Sequence, residues 1–255
     1  MDLGDIRLRV GGITDMSTID WYGNVSLVVF FAGCDFKCPY CQNSGLIPLD
    51  SGREIDLSLV EERIRENEKI IDAVVFTGGE PLVQPAVVEA AMMVKRLGYK
   101  LMLNTNGSVK GTLETLLKDG LIDRVALDVK APLTAEEYGR VSGIPEMGAK
   151  FAEAVEYALD LSKRLGVELE ARTTVAPTVS DDPAFVRSIA ESLNGRCAVY
   201  YLQQFDNLGE VLDPRLKAMH PPSRETMMAL AGVATSTGLE NVFIKTRSNG
   251  LERVG

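Results

Sequence analysis

Along most of this 255-residue chain, short apolar runs alternate with longer amphipathic ones, and no other feature limits the fold as strongly. "VSLVVFFAG" (residues 25–33) is a β-branched, aromatic run that suits a buried strand. "DLSLVEERIRENEKI" follows at helical spacing, with Asp56 as its expected cap. "DAVVFTGG" then predicts a strand, and "QPAVVEAAMMVKRLG" a helix closed by Gly98. The pattern repeats in "KLMLNTNG" and "GTLETLLKDG", then in "DRVALDVKAP" and the long amphipathic "AKFAEAVEYALDLSKRLG". It continues through "VELEARTTVAP", a helix from about Asp182, "CAVYYLQQF", a helix from about Ser223 and "NVFIKTR". Buried strands alternating with helices of this length call for a parallel sheet with helical crossovers. Six such units and a seventh strand suit either an open doubly wound sheet or an incomplete barrel. With no low-complexity stretch and no Pro/Gly-rich linker, the expectation is one α/β domain over residues 1–255.

The formal net charge of −9 argues against nucleic acid as the main ligand, which usually needs a basic stripe. No apolar run approaches the ~18 residues of a membrane span. "MDLGDIRLRVGG" has no apolar signal region. The expected compartment is the cytoplasm, where thiols stay reduced and clustered cysteines more often bind metal.

In such folds functional groups gather at the carboxyl ends of strands. Here those ends carry "CDFKCPYC", "TGGEP" (77–81), "NTNG" (104–107), "DVK" (128–130), "ARTT" (171–174) and "QQF" (203–205). Each alone could be an ordinary turn. Lys130 and Arg172, however, need partners near the ends of buried strands. Those partners are either a ligand or a structural carboxylate: Asp128, Glu168 or Glu170.

Cys34, Cys38 and Cys41 lie within eight residues, and Cys197 is the only other cysteine. Disulfides do not suit a reducing compartment. Structural zinc wants four ligands, usually in two pairs. Cys197 begins a strand, at the end away from the cysteine loop, and is expected in the core; the single histidine, His220, is expected on the surface in "MHPPS". An iron–sulfur cluster fits better. A cubane normally takes four thiolates, so three would leave one iron open to a small molecule.

C-x-x-x-C-x-x-C after a first strand, with Tyr40 before the last cysteine and "TGGEP" after the second strand, resembles the radical S-adenosylmethionine (SAM) superfamily. The resemblance runs from about residue 17 to 205, leaving 206–255 as a C-terminal extension, and implies an incomplete (β/α)6-type barrel. "STIDWYGNVSLVVFFAGCDFKCPYCQN" and "GGEPLVQ" look like the glycyl-radical enzyme activases, notably the anaerobic ribonucleotide reductase type and the pyruvate formate-lyase activating enzyme.

That resemblance implies a [4Fe–4S] cluster on Cys34, Cys38 and Cys41, with SAM on the open iron. It implies SAM contacts from Tyr40, Gln42, Gly78, Gly79, Glu80, Asp128, Lys130 and Arg172, with Asn104 and Asn106 as weaker members. It also implies reductive cleavage of SAM, a radical that takes hydrogen from a partner's glycine, and a flavodoxin- or ferredoxin-type electron donor. The chain departs from the activases at Gln42, where they often have His, and at Gln204 and Phe205, where the formate-lyase activator has His at the sixth strand end. A second reading is an enzyme for a small molecule or nucleoside, such as a 7-carboxy-7-deazaguanine synthase. A third, a colourless zinc module, is disfavoured.

Overall fold

The computed structural model describes residues 3–255. They divide into two compact units, each assembled from three stretches of chain. Unit 1 comprises residues up to 35, 45–105 and 109–125; unit 2 comprises 36–44, 106–108 and 126–255.

Unit 1 holds β1 (Arg7–Ser17), β2 (Ser26–Phe31), β3 (Arg53–Asp56), β4 (Ala73–Gly78) and β5 (Lys100–Thr105), in the order β5-β4-β2-β1-β3. β2, β4 and β5 are parallel neighbours, with Val28 opposite Val75 and Val75 opposite Met102. Three helices, α1 (Leu57–Glu66), α2 (Val87–Arg96) and α3 (Lys110–Lys118), make the crossovers. Each buries one apolar stripe, such as Ala90, Met93 and Val94 on α2. Phe31 and Phe76 meet edge to face, 5.1 Å between centroids, in the core between β2 and β4. Each fully buried side chain of this size contributes about 1.5–3 kcal/mol.

β1 and β3 were not expected from the sequence. They run antiparallel beside β2, Val10 facing Phe31 and Leu8 facing Ile55. Their burial alternates or lapses, and β1 carries Arg7, Arg9, Asp15 and a Gly11-Gly12 pair, so no apolar run marks it. Asp56 precedes α1 as expected, but it ends β3 and its side chain accepts no hydrogen bond from the helix.

Unit 2 holds most of β6 (Arg124–Asp128), then β7 (Glu168–Val175), β8 (Val199–Gln204), β9 (Val242–Thr246) and β10 (Gly250–Arg253), in that spatial order. β7, β8 and β9 are parallel, and β10 returns antiparallel. The helices are α4 (Ala135–Ser142), α5 (Gly148–Leu165), α6 (Pro183–Leu193), the single turn α7 (Pro214–Lys217) and α8 (Arg224–Thr235). The two expected starts hold: Asp182 accepts from the Ala184 and Phe185 amides, and Ser223 from the Thr226 amide. Gly166 ends α5 at a φ of 69°, a left-handed value that suits glycine. α4 and β10 escaped the sequence reading, being eight and four residues long.

Candidate functional site

The residues singled out from the sequence fall on both units, and the chain passes from one to the other between Asp35 and Phe36. Unit 1 carries Cys34, Gly78, Gly79, Glu80 and Asn104; unit 2 carries Cys38, Tyr40, Cys41, Gln42, Asn106, Asp128, Lys130 and Arg172.

In unit 1 the entry to the cysteine loop is locked to the loop after β4. The Glu80 amide donates to the Gly33 carbonyl at 2.8 Å, and the Gly79 amide to that of Phe31 at 2.9 Å. The Gly33 and Cys34 amides donate in turn to Leu46 and Ile47. This closeness explains the two glycines: a Cβ on Gly78 would strike the Phe31 backbone, and one on Gly79 the Gly33 carbonyl. The sequence alone shows no packing purpose for the pair; the structure supplies one.

Glu80 is fully buried, and its Oε1 accepts from the Leu82 amide at 3.0 Å and from Thr105 Oγ1 at 2.7 Å. Gln84 is buried beside it, donating to the Ala32 carbonyl at 2.6 Å and accepting from the Arg9 amide at 3.3 Å. Asn104 donates to Thr77 Oγ1 at 3.3 Å, while its Oδ1 is buried with no protein partner. Thr105 carries no chemical signature in the sequence, standing between Asn104 and Asn106. Its only signal is the strand alternation that turns it inward.

In unit 2 the cysteine loop lies against a half-buried charge pair. Lys130 donates to Asp128 Oδ2 at 2.7 Å, its side chain 15% exposed. Burial works against the Lys130 charge, but the facing Asp128 carboxylate together with Cys38 and Tyr40 outweighs it and holds the ammonium above its ordinary range. Burial pushes the Cys38 thiol up to about 12, with Lys130 pulling the other way. It also raises Tyr40 and Cys41, again against Lys130. The Tyr40 hydroxyl is buried without a partner. Tyr138, on the unforeseen α4, completes the cluster, its hydroxyl raised by burial and set against the Lys130 backbone.

Arg172 takes the structural alternative weighed from the sequence: it pairs with Glu170, whose side chain is 4% exposed. Lys130, likewise, pairs with Asp128. Asn106 is buried and accepts from the Ser108 amide at 2.9 Å. Gln42 is exposed, and its side-chain amide donates to the Asp206 carbonyl at 3.1 Å. Cys197 lies just ahead of β8, part-buried, and His220 is exposed. No cysteine is in a disulfide among the described residues.

The donor chemistry fits the groups that the sequence implies. Thiols are the soft ligands that hold iron–sulfur clusters. A Cys38 thiolate at its buried position needs a compensating cation, and a cluster supplies one. The orphaned Tyr40 hydroxyl in unit 2 and the orphaned Asn104 Oδ1 in unit 1 each suit a polar partner. Among the described residues no three His, Cys, Asp or Glu side chains converge on a metal-holding group, so the fit is one of chemistry and of spacing along the chain.

Residues 28–187 match the Radical SAM superfamily, and the chain belongs to it. Within that class it is similar along nearly its whole length to a Methanocaldococcus jannaschii protein named as a glycyl-radical enzyme activating enzyme: 34% identity over 249 residues, 97% of this chain and 100% of that one. It is 29% identical to the pyruvate formate-lyase-activating enzyme of Clostridium pasteurianum, over 71% of this chain and 74% of that one. A radical SAM methyltransferase from Sphaerobacter thermophilus shares the fold, with a TM-score of 0.67 at 15% identity, over 88% of this chain and 67% of that one. The chain is thus an enzyme of the radical SAM fold, the incomplete (β/α)6-type barrel expected from the motifs. The family uses a [4Fe–4S] cluster and SAM. No helix among the described residues is long and apolar enough to cross a membrane.

Proposed function

We propose that this chain is a glycyl-radical enzyme activase whose partner is an anaerobic ribonucleotide reductase. The observation that carries the reading is the similarity along nearly the whole chain to a glycyl-radical enzyme activating enzyme; in unit 2 the Cys38 thiol and the Tyr40 hydroxyl beside the Lys130–Asp128 pair support it. Cys34, Cys38 and Cys41 would hold the [4Fe–4S] cluster, as their spacing in the chain suggests. When bound, cluster and SAM supply one-electron cleavage of a sulfonium C–S bond and so a radical that abstracts hydrogen. Lys130 presents a preformed cation to the SAM carboxylate, with Asp128 fixing its direction and left to accept from a ribose hydroxyl. Tyr40 offers an unspent hydroxyl donor, and Asn104 an unspent acceptor. Gly78, Gly79 and Glu80 offer backbone groups and a held carboxylate to the ammonium; Gln42, Asn106 and Arg172 stand as flanking members. Electrons would come from a flavodoxin- or ferredoxin-type donor.

The test is anaerobic reconstitution with iron and sulfide, then SAM and dithionite, with Cys38→Ala as control. 5′-Deoxyadenosine from wild type alone, together with a glycyl radical signal on added anaerobic ribonucleotide reductase, is the expected result. Product that needs a nucleoside or another small molecule would move the assignment to the carboxy-deazaguanine synthase type. A colourless, zinc-loaded protein would overturn both.

A further inference from the structure

We propose that segment 206–213, in the C-terminal extension, is a fixed brace for the cysteine loop, and that Gln42, Leu212 and Asp213 are positioning residues for Cys38 and Cys41. The inference rests on the assignment of those cysteines to the cluster.

Four attachments join the brace to the loop, all inside unit 2. The Asp213 amide donates to the Pro39 carbonyl at 2.9 Å and the Leu212 amide to the Cys41 carbonyl at 3.3 Å. Gln42 Nε2 reaches the Asp206 carbonyl at 3.1 Å, and Asn43 forms a parallel bridge with Glu210. The brace is itself pinned. Asp213 caps α7 through the Arg215 amide, Asn207 donates to the Met219 carbonyl at 2.8 Å, and Lys217 donates to the carbonyls of Leu208 and Gly209. Buried Phe205, just upstream, donates its amide to the Val175 carbonyl at 3.0 Å.

The loop's opposite edge is held too. The Lys37 amide donates to the Ser142 carbonyl at 2.7 Å, with Gly143 at a φ of 73° packed so closely on the Lys37 carbonyl that a side chain there would collide. Between these anchors the loop has a backbone bond of its own, Cys41 amide to Cys38 carbonyl at 2.9 Å. A short loop with so little internal structure stays ordered only through such outside partners, because each free residue has conformations to lose. Main-chain donors from the brace fix the carbonyls of Pro39 and Cys41, and with them the directions of both thiols. Gln42, which replaces the histidine common in activases, has the length and the amide donor that this tether uses.

The experiment uses full-length, metal-free, anaerobic protein. Amide exchange of residues 36–44 and iodoacetamide labelling of Cys41, with Cys197 as internal reference, are compared for wild type, Gln42→Ala, Leu212→Pro and Leu212→Ala. Leu212→Pro removes the amide donor, whereas Leu212→Ala keeps it and trims a side chain that is 40% exposed. The expected result is about fivefold faster exchange and labelling for Leu212→Pro, the loss of one hydrogen bond. Gln42→Ala should give a smaller rise, Leu212→Ala none, and Cys197 should not respond. After reconstitution, iron loss to a chelator should quicken in the same order. Should Leu212→Pro fail to fold, Gln42→Ala carries the test. A cluster-loaded wild type whose loop ignores both variants overturns the brace. A loop that responds while the wild type takes up no iron supports the brace and overturns the cluster assignment.

Discussion

Replacing Thr105 with valine tests how the GGEP carboxylate is held. Glu80 is fully buried, and two of its donors converge on one oxygen: the Leu82 amide at 3.0 Å and Thr105 Oγ1 at 2.7 Å. Valine keeps the shape of threonine and deletes only the hydroxyl, so the change removes a donor from a buried carboxylate with little loss of packing. A hydrogen bond to a charged group contributes about 1.5–3 kcal/mol, and water cannot replace it at a buried site. In a protein of this size 1 kcal/mol shifts the melting temperature by about 2–4 °C, so the variant should melt about 3–12 °C lower.

Scanning calorimetry of the metal-free protein measures this without reference to turnover. Thr105→Ser keeps the hydroxyl and drops a methyl, which costs about 1 kcal/mol. The decisive number is the coupling in a cycle with Glu80→Gln, where the charge that makes the bond strong is gone. The coupling should exceed about 1 kcal/mol. Equal melting of the valine and serine variants, or a coupling under about 0.5 kcal/mol, would refute the idea that Thr105 holds Glu80. If the hold matters for SAM, the loaded valine variant should also bind SAM more weakly, about tenfold for each 1.4 kcal/mol lost at the ligand.

Two further outcomes follow from buried ionisable groups. Arg172→Met leaves Glu170, 4% exposed, without its cation, and should destabilise by about 3–5 kcal/mol in chemical denaturation, whereas Arg172→Met with Glu170→Met should recover most of that; equal losses in single and double variants would show that the pair is not what holds the region. The Cys38 thiol has its pKa raised by burial from 9.0 to about 12 in the folded chain, so its contribution is complete below pH 9 and is lost as pH climbs toward 12, at up to about 1.4 kcal/mol per pH unit. Stability of the metal-free protein against pH should therefore fall across that window; Cys38→Ala should remove its share of the fall up to about pH 12, whereas Cys197→Ala, whose thiol is raised only to about 11, should remove its share only up to there; identical curves for both variants above about pH 11 would show that Cys38 is not buried as described.

What could be foreseen and what could not divide along a physical line. The strands β2 and β4 to β9 announce themselves because each buries consecutive residues, as Leu27, Val28 and Val29 do. β1 buries every other residue at best and is broken by Gly11 and Gly12, so it has no signature of its own and exists because β2 offers it an edge. The same division runs through the candidate site. Cys34, Cys38, Cys41 and Glu80 were legible because their chemistry depends on side-chain identity at fixed spacing. The Gly79–Gly33 approach showed in the sequence only as glycines without an evident packing purpose, and the brace at 206–213 did not show at all, because its carbonyls and amides are groups that almost any sequence can supply. Gln42 shows the consequence. By position it belongs with SAM, and by its hydrogen bond it belongs with Asp206, some 160 residues away in the chain. A residue's neighbours in sequence thus named its chemistry, while a main-chain carbonyl from the far end of the protein set its direction.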